Sequence, residues 1–372
     1  MAAVLKHGIL KRYLPPFAMK TGSTSAGKRV VFVDGYAGAG RYDDDTPGSP
    51  LLLLGVAEGM RPDRNVECVF VEKKKKTYHT LVGVLEEQKS ESSYHTLRGD
   101  FLAKLDDVCA VANGSPALFF LDPFGRMFPF DDFVERVLKR DGYKGTPTEA
   151  VINFSTVSIW RIGGRFLKGQ LSANALSRLD GVFGGDWWQE HFKKGVPPAA
   201  SAQVIATDYM KRVASAAGCG GWTVEVRRAV EQMPIYHLQA FTRHFDGMYL
   251  FGEAASGAAE EWRRAAAEQA EEAAVGAGQI PGLSLATYEV EEAALQASYV
   301  ERVRQNVLAI LEGNANFKPK DFYGKVFDGV MGEARTTHLT KACGDLAKDG
   351  LIEKVKAVMK TGIVSRGPSW PT

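Results

Sequence analysis

An α/β fold with a doubly wound, mostly parallel sheet is predicted for the first 250 residues of this 372-residue chain. Three observations predict it. Short apolar runs of strand length alternate with segments of helical periodicity, the pattern that parallel crossovers require. The runs stop at an acid: Asp34, Glu72, Asp100 (after Gly99) and Asp122. A glycine-rich turn, Gly35 to Gly40, follows the first run.

The elements follow in order. Leu5, Ile9, Leu10 and Tyr13 share one face of an opening helix, which Pro15-Pro16 should end or bend. Residues 28–34 form a buried strand, and Leu51–Gly59 a helix. Cys68–Val71 is a second strand ending at Glu72, followed by a helix over 75–87. Tyr94–Arg98 is a third strand, Ala117–Leu121 a fourth and Ala150–Phe154 a fifth. An insertion near the ligand mouth is expected at about 156–205. After a helix at 203–217, Trp222–Ala229 and Ile235–His244 make an antiparallel pair that completes a seven-stranded mixed sheet. Residues 1–250 thus form one domain.

Residues 251–295 are expected to be a helical acidic connector. From Glu253 to Glu292 there are nine acids against Arg263 and Arg264, with a Gly/Pro break at 276–282. Residues 296–372 are expected to form a winged-helix domain. Its helices would be Tyr299–Leu311, Pro319–Phe327 and Arg335–Lys348, and its hairpin Leu351–Val358 with Gly362–Ser365. This piece carries twelve Lys/Arg against eight Asp/Glu.

Composition limits the function classes. A net charge of +2 gives no global field toward nucleic acid or membrane, so such a partner must meet a local patch. Four scattered cysteines (Cys68, Cys109, Cys219, Cys343) argue against a zinc or iron–sulfur site and fit a reducing cytoplasm. No segment reads as a signal peptide or membrane span.

Ligands of doubly wound sheets sit at the carboxyl ends of the strands. Asp34, Gly35, Tyr36, Gly38 and Gly40 form the turn after strand one, where glycine lets the backbone approach a ligand closely. Gly38-x-Gly40 lacks the third glycine of the dinucleotide fingerprint, and no Gly-Lys-Ser/Thr phosphate loop follows. Glu72 is placed to accept ribose hydroxyls, with Lys73 beside it. Asp100, next to Phe101, is placed to accept an adenine amine, and equally to cap the following helix. Together they describe a pocket for a molecule with an adenosine end, an ammonium group and no phosphates. S-adenosylmethionine is such a molecule.

Asp122-Pro123-Phe124-Gly125 ends strand four, where the methyl group would lie. The Asp122 carboxylate and backbone carbonyl can hold an exocyclic amine, while Phe124 stacks on its base. The plain alternative is a strand end followed by a turn. Arg161 and Arg165, beside Trp160, are candidate substrate-phosphate contacts, with Asp131 or Asp132 as alternative salt-bridge partners. In the terminal piece, His338 and Lys341 lie near the start of the candidate recognition helix. Trp187-Trp188 and His237 read as structural.

The ordered motifs resemble the three-Cys-motif partner (TcmP) family. They are the opening helix, Asp34 to Tyr42, Gly48-Ser49-Pro50, Val71-Glu72-Lys73, Gly99-Asp100, Asp122 to Gly125 and Asn153-Phe154, with weaker likeness to about residue 260. The resemblance implies a Rossmann-like class I methyltransferase domain and a partner protein with a three-cysteine, radical-SAM-like motif. The tetrapeptide is also similar to the catalytic motif of tRNA guanine-N2 dimethyltransferases, and lacks the second proline of adenine-N6 enzymes. The expected activity is therefore N-methylation of an exocyclic nucleobase amine in DNA or RNA, with S-adenosylmethionine as cofactor. An accessory cofactor-binding protein, or a methyltransferase of a small molecule or peptide, remains the alternative.

Overall fold

The computed structural model describes residues 2–123, 128–140, 145–193, 195–227, 232–278, 281–359 and 361–370. The chain divides into two compact units. One is Leu10–Leu250; the other joins Ala3–Ile9 to Phe251–Thr372.

The larger unit begins within helix α1 (Ala2–Thr21) and continues through β1 (Arg29–Asp34), α2 (Ser49–Met60), β2 (Asn65–Glu72), α3 (Lys75–Glu87), β3 (Tyr94–Arg98), α4 (Phe101–Ala112) and β4 (Ala117–Leu121). A π-helical segment, Asp132–Leu138, precedes β5 (Thr148–Phe154). Then come α5 (Thr156–Leu167), α6 (Ala173–Phe183), α7 (Pro198–Ala217), β6 (Gly220–Val226) and β7 (Tyr236–Thr242). Helix α1 does not end at Pro15-Pro16 but runs on to Thr21. Burial of Tyr13, Leu14, Phe17 and Ala18 accompanies this continuation and offsets the missing proline donors.

The seven strands lie in the order β3-β2-β1-β4-β5-β7-β6. Strands β1 to β5 are parallel, and β7 runs antiparallel to both β5 and β6. This is the seven-stranded mixed sheet expected of a Rossmann-like methyltransferase domain. The last two strands do pair antiparallel, but the later one is the inner one. Helix α7 carries the chain across so that β6 runs with the parallel set, leaving β7 to fill the gap.

Apolar residues on both faces explain why β1, β2 and β4 are central. Val31, Val33, Val69, Val71, Phe119 and Leu121 join one cluster with Phe101, Leu105 and Val108 of α4. On the other face Phe17 of α1 meets Phe32, with ring centroids 6.4 Å apart. Among its described residues the expected insertion is mostly helical. Ser172 caps α6 by accepting from the Ala175 N–H, and Gly184 closes it in the left-handed region at φ +72°. Trp188 is core, stacked on Phe183 at 5.2 Å and donating Nε1–H to Asp180 at 2.8 Å.

The smaller unit takes most of α8 (Phe245–Gly276), then α9 (Leu283–Gly313), β8 (Asn316–Phe317), α10 (Tyr323–Val326), α11 (Thr336–Lys348) and β9 (Val364–Ser365). Two expectations are corrected. The acidic segment is not an exposed connector over its first half, because Phe251, Ala254, Ala255, Ala258 and Trp262 are buried. The terminal hairpin does not form as expected either. Val364–Ser365 pairs with Asn316–Phe317, and Ile352 makes a single bridge to Arg366.

Candidate functional site

Strand order reverses between β1 and β4, because the chain leaves β3 on one side and re-enters the sheet on the other. A crevice forms at the carboxyl ends where the order reverses. Register sets its shape. Asp34 pairs with Phe70 of β2 and Phe120 of β4. Glu72 and Asp122 therefore lie two residues beyond it on either side, about 7 Å along the strands. The period-two pleat puts Asp34 and Glu72 on the same face. Asp34 is the floor of a notch whose walls carry the other two acids.

All three acids are shielded: Asp34 is 0%, Glu72 8% and Asp122 5% exposed. Asp34 Oδ1 accepts from the Tyr36 N–H at 3.1 Å, starting the turn. The turn is tied down by Gly35 N–H to Phe120 O (3.0 Å) and Ala37 N–H to Val71 O (2.9 Å). A Cβ on Gly35 would lie 2.6 Å from Leu121 Cδ2, so the close strand approach requires glycine. Gly38 and Gly40 have φ of +66° and +86°, where side chains are strained.

Glu72 holds this turn to the next helix. Its Oε2 accepts from the Gly38 N–H at 3.1 Å and its Oε1 from the Lys74 N–H at 2.7 Å. Each oxygen retains a further lone pair. Asp100 caps α4, accepting from the Leu102 N–H at 3.2 Å, and pairs with Lys73 Nζ at 2.9 Å. The capping role foreseen for Asp100 is thus present. Phe101 is only 1% exposed and packs on Tyr36 (5.7 Å) and Phe128 (5.5 Å). Its ring is therefore part of the core, so Phe101, expected beside Asp100 at the cofactor, packs its side chain away from solvent.

Beyond β4, Asp122 Oδ1 accepts from Asn153 Nδ2 of β5 at 2.7 Å. This orients the amide and leaves Asn153 Oδ1 buried with no hydrogen-bond partner among the described residues. Pro123 and Asn153 line a small cavity with Tyr36, Phe128, Phe154 and Tyr209. Its volume, about 20 Å³, is close to the space that one water molecule needs. Phe124 and Gly125 lie outside the described residues. Asn153 had signalled itself only as part of a family pattern; an amide at the end of a strand neighbouring Asp122 was the cue to its pairing.

The remaining candidates separate. Arg161 and Arg165 are exposed on α5, and Asp132 pairs with Arg136 at 2.9 Å rather than with them. His338 is corrected. It is 5% exposed, its Nδ1 accepts from the Arg335 N–H at 2.9 Å, and its Nε2 meets Gln296. Burial lowers its pKa, so it is a neutral capping group rather than a phosphate contact. The start of α11 is also engaged by acids: Glu253 accepts from the Thr336 N–H at 2.7 Å, and Glu260 pairs with Arg335. Lys341 remains exposed. Among the described residues no cluster suits a metal ion, and no helix is long and apolar enough to cross a membrane.

No protein-family model matches this chain, and neither does any curated protein. Solved structures of methyltransferases do match. A putative caffeoyl-CoA O-methyltransferase from Staphylococcus aureus is 8% identical, with a TM-score of 0.31 over 62% of this chain and 80% of that one. TYW2 from M. jannaschii, solved with AdoMet, is 11% identical, with a TM-score of 0.29 over 60% and 72%. An RNA methyltransferase from Salinibacter ruber, solved with S-adenosyl-L-homocysteine, is 9% identical, with a TM-score of 0.24 over 38% and 74%.

Proposed function

We propose that the larger unit is an S-adenosylmethionine-dependent methyltransferase whose acceptor is an exocyclic amine of a nucleobase. One observation carries the reading: Asp34, Glu72, Asp100 and Asp122 stand at the carboxyl ends of four adjacent strands, around the point where strand order reverses. The chemistry of this set suits the cofactor. Acids favour a ligand with sulfonium and ammonium charges and free hydroxyls, and oppose a pyrophosphate. The nearby Lys73 is already paired with Asp100.

In this reading Asp34 and the Gly35–Gly40 turn hold the methionine end, Glu72 accepts from ribose hydroxyls, and Asp100 meets the adenine amine. The cofactor supplies an activated methyl group. Asp122, held by Asn153, and the carbonyl preceding Pro123 orient the acceptor amine, so that the protein's main contribution is position. The order of elements in the smaller unit supports a winged-helix reading, with Lys341 as an exposed candidate contact.

A second reading is an accessory cofactor-binding protein of the TcmP type that works with a three-cysteine, radical-SAM-like partner; in its favour, Asp122-Pro123-Phe124-Gly125 matches no one base-modifying motif completely. Calorimetry with S-adenosylmethionine, followed by methyl transfer to nucleic acid, separates the two. The proposal expects cofactor binding by the wild type and by Asp122→Ala, with transfer lost in the variant. Failure of the wild type to bind cofactor overturns both readings. Binding without transfer, except when a three-cysteine partner is added, favours the second.

A further inference from the structure

Helix α5 starts immediately after the strand that supplies Asn153. Its inner face is Thr156, Ile159 and Gly163, and a Cβ on Gly163 would collide with the ring of Phe192. That packing turns Trp160, Arg161, Arg165 and Lys168 outward. The indole of Trp160 is 49% exposed, and the three cations are exposed as well. Arg161 and Arg165 are one turn apart, and Lys168 lies about 10 Å from Arg161 along the axis.

Two features set this face apart from ordinary solvated surface. First, no acid occurs between Ala150 and Leu179, while Arg161, Arg165, Lys168 and Arg178 all do; this is a local +4 in a chain of net +2. Second, none of these four enters an ion pair among the described residues; Arg165 makes only a 3.4 Å bond to the Gln170 carbonyl. Several arginines elsewhere are ion-paired, among them Arg29–Glu67, Arg61–Glu58, Arg136–Asp132 and Arg263–Glu292. A row of uncommitted cations is complementary to a phosphate backbone. An exposed indole among them offers a stacking face that a paired, stacked duplex cannot use.

We infer that the outer face of α5 is a track for single-stranded nucleic acid, with Arg161, Arg165 and Lys168 on successive phosphates and Trp160 stacked on a base. The inference rests on the methyltransferase reading only for its purpose, which is to lead a strand to the carboxyl edge of the sheet.

The test is fluorescence anisotropy of a labelled deoxythymidine oligomer with the full chain across a salt series. Thymine has no exocyclic amine, so its binding reports the track and not the acceptor site. Wild-type affinity should fall with salt. The triple variant Arg161→Ala/Arg165→Ala/Lys168→Ala should lower the log–log salt slope by about 2, at roughly 0.7 per phosphate contact. Trp160→Ala should weaken binding about tenfold and leave the slope unchanged. All variants should keep the wild-type circular dichroism and cofactor affinity. An unchanged slope in the triple variant, or equal competition by polyglutamate, overturns the track. Loss of wild-type cofactor binding alone overturns the methyltransferase reading and leaves the track standing.

Discussion

Replacing Glu149 by Gln should flatten the pH dependence of stability. Glu149 opens β5, is 5% exposed, and lies at the strand end opposite the proposed cofactor. Its Oε1 accepts from Thr242 Oγ1 at 2.6 Å, and its Oε2 from the Tyr13 hydroxyl. Gly247 packs so closely that a Cβ there would lie 2.6 Å from Oε1. Burial dominates these hydrogen bonds and pushes the carboxyl from an ordinary 4.5 up to about 7. Burial and the neighbouring Glu149 together raise the Tyr13 hydroxyl well above the ordinary phenol range, so it stays a neutral donor.

The sign follows from proton binding. Between pH 4.5 and 7 the folded state keeps a proton that the unfolded chain releases. Stability contributed by this group is therefore fully present below about 4.5 and lost as pH rises through about 7. At about 1.4 kcal/mol per unit, the loss is roughly 3 kcal/mol. Glutamine mimics the protonated acid. Glu149→Gln should exceed the wild type by less than about 1 kcal/mol at pH 5 and by roughly 3 kcal/mol at pH 8. Urea unfolding of both proteins at the two pH values measures this, and the difference between them cancels other titrating groups such as Glu58 and Glu225, both lowered to about 2. Parallel pH profiles would refute the assignment.

Two further outcomes are expected. Arg140 is 3% exposed and donates to Ala112 O (3.0 Å), Ser115 O (2.6 Å) and Thr148 Oγ1 (2.9 Å), closing the end of α4. Arg140→Ala removes all three bonds and should cost about 3 kcal/mol, read as a lower urea midpoint. Gly40→Ala puts a Cβ at φ +86° and 3.0 Å from Val84 Cγ1. It should lose about 1 kcal/mol of stability and weaken S-adenosylmethionine binding, while Gly55→Ala, where a Cβ meets nothing within 4 Å, should not affect binding.

Much of the sheet was legible because its central strands are short and buried on both faces, so their apolar runs stop sharply. Those stops mark Asp34, Glu72 and Asp122, whereas Asp100 follows β3, a partly exposed strand at the sheet edge. Asp100 also carried its helix-capping role openly, since an acid before an apolar helix is a local signal. Less was legible in the smaller unit. The periodicity of Arg335–Lys348 announced α11, but nothing local revealed that His338 turns inward to Gln296.

By itself the sequence determined where the central strands end, because continuous apolar runs and turn chemistry are local properties of the chain. Only the tertiary structure decided which ends are neighbours. It set Asp34 two residues below Glu72 and Asp122, joined Asn153 to Asp122, buried Phe101 and exposed Trp160. Those facts depend on strand order, register and helix packing. These arise from contacts between residues far apart in the chain, which no local pattern encodes.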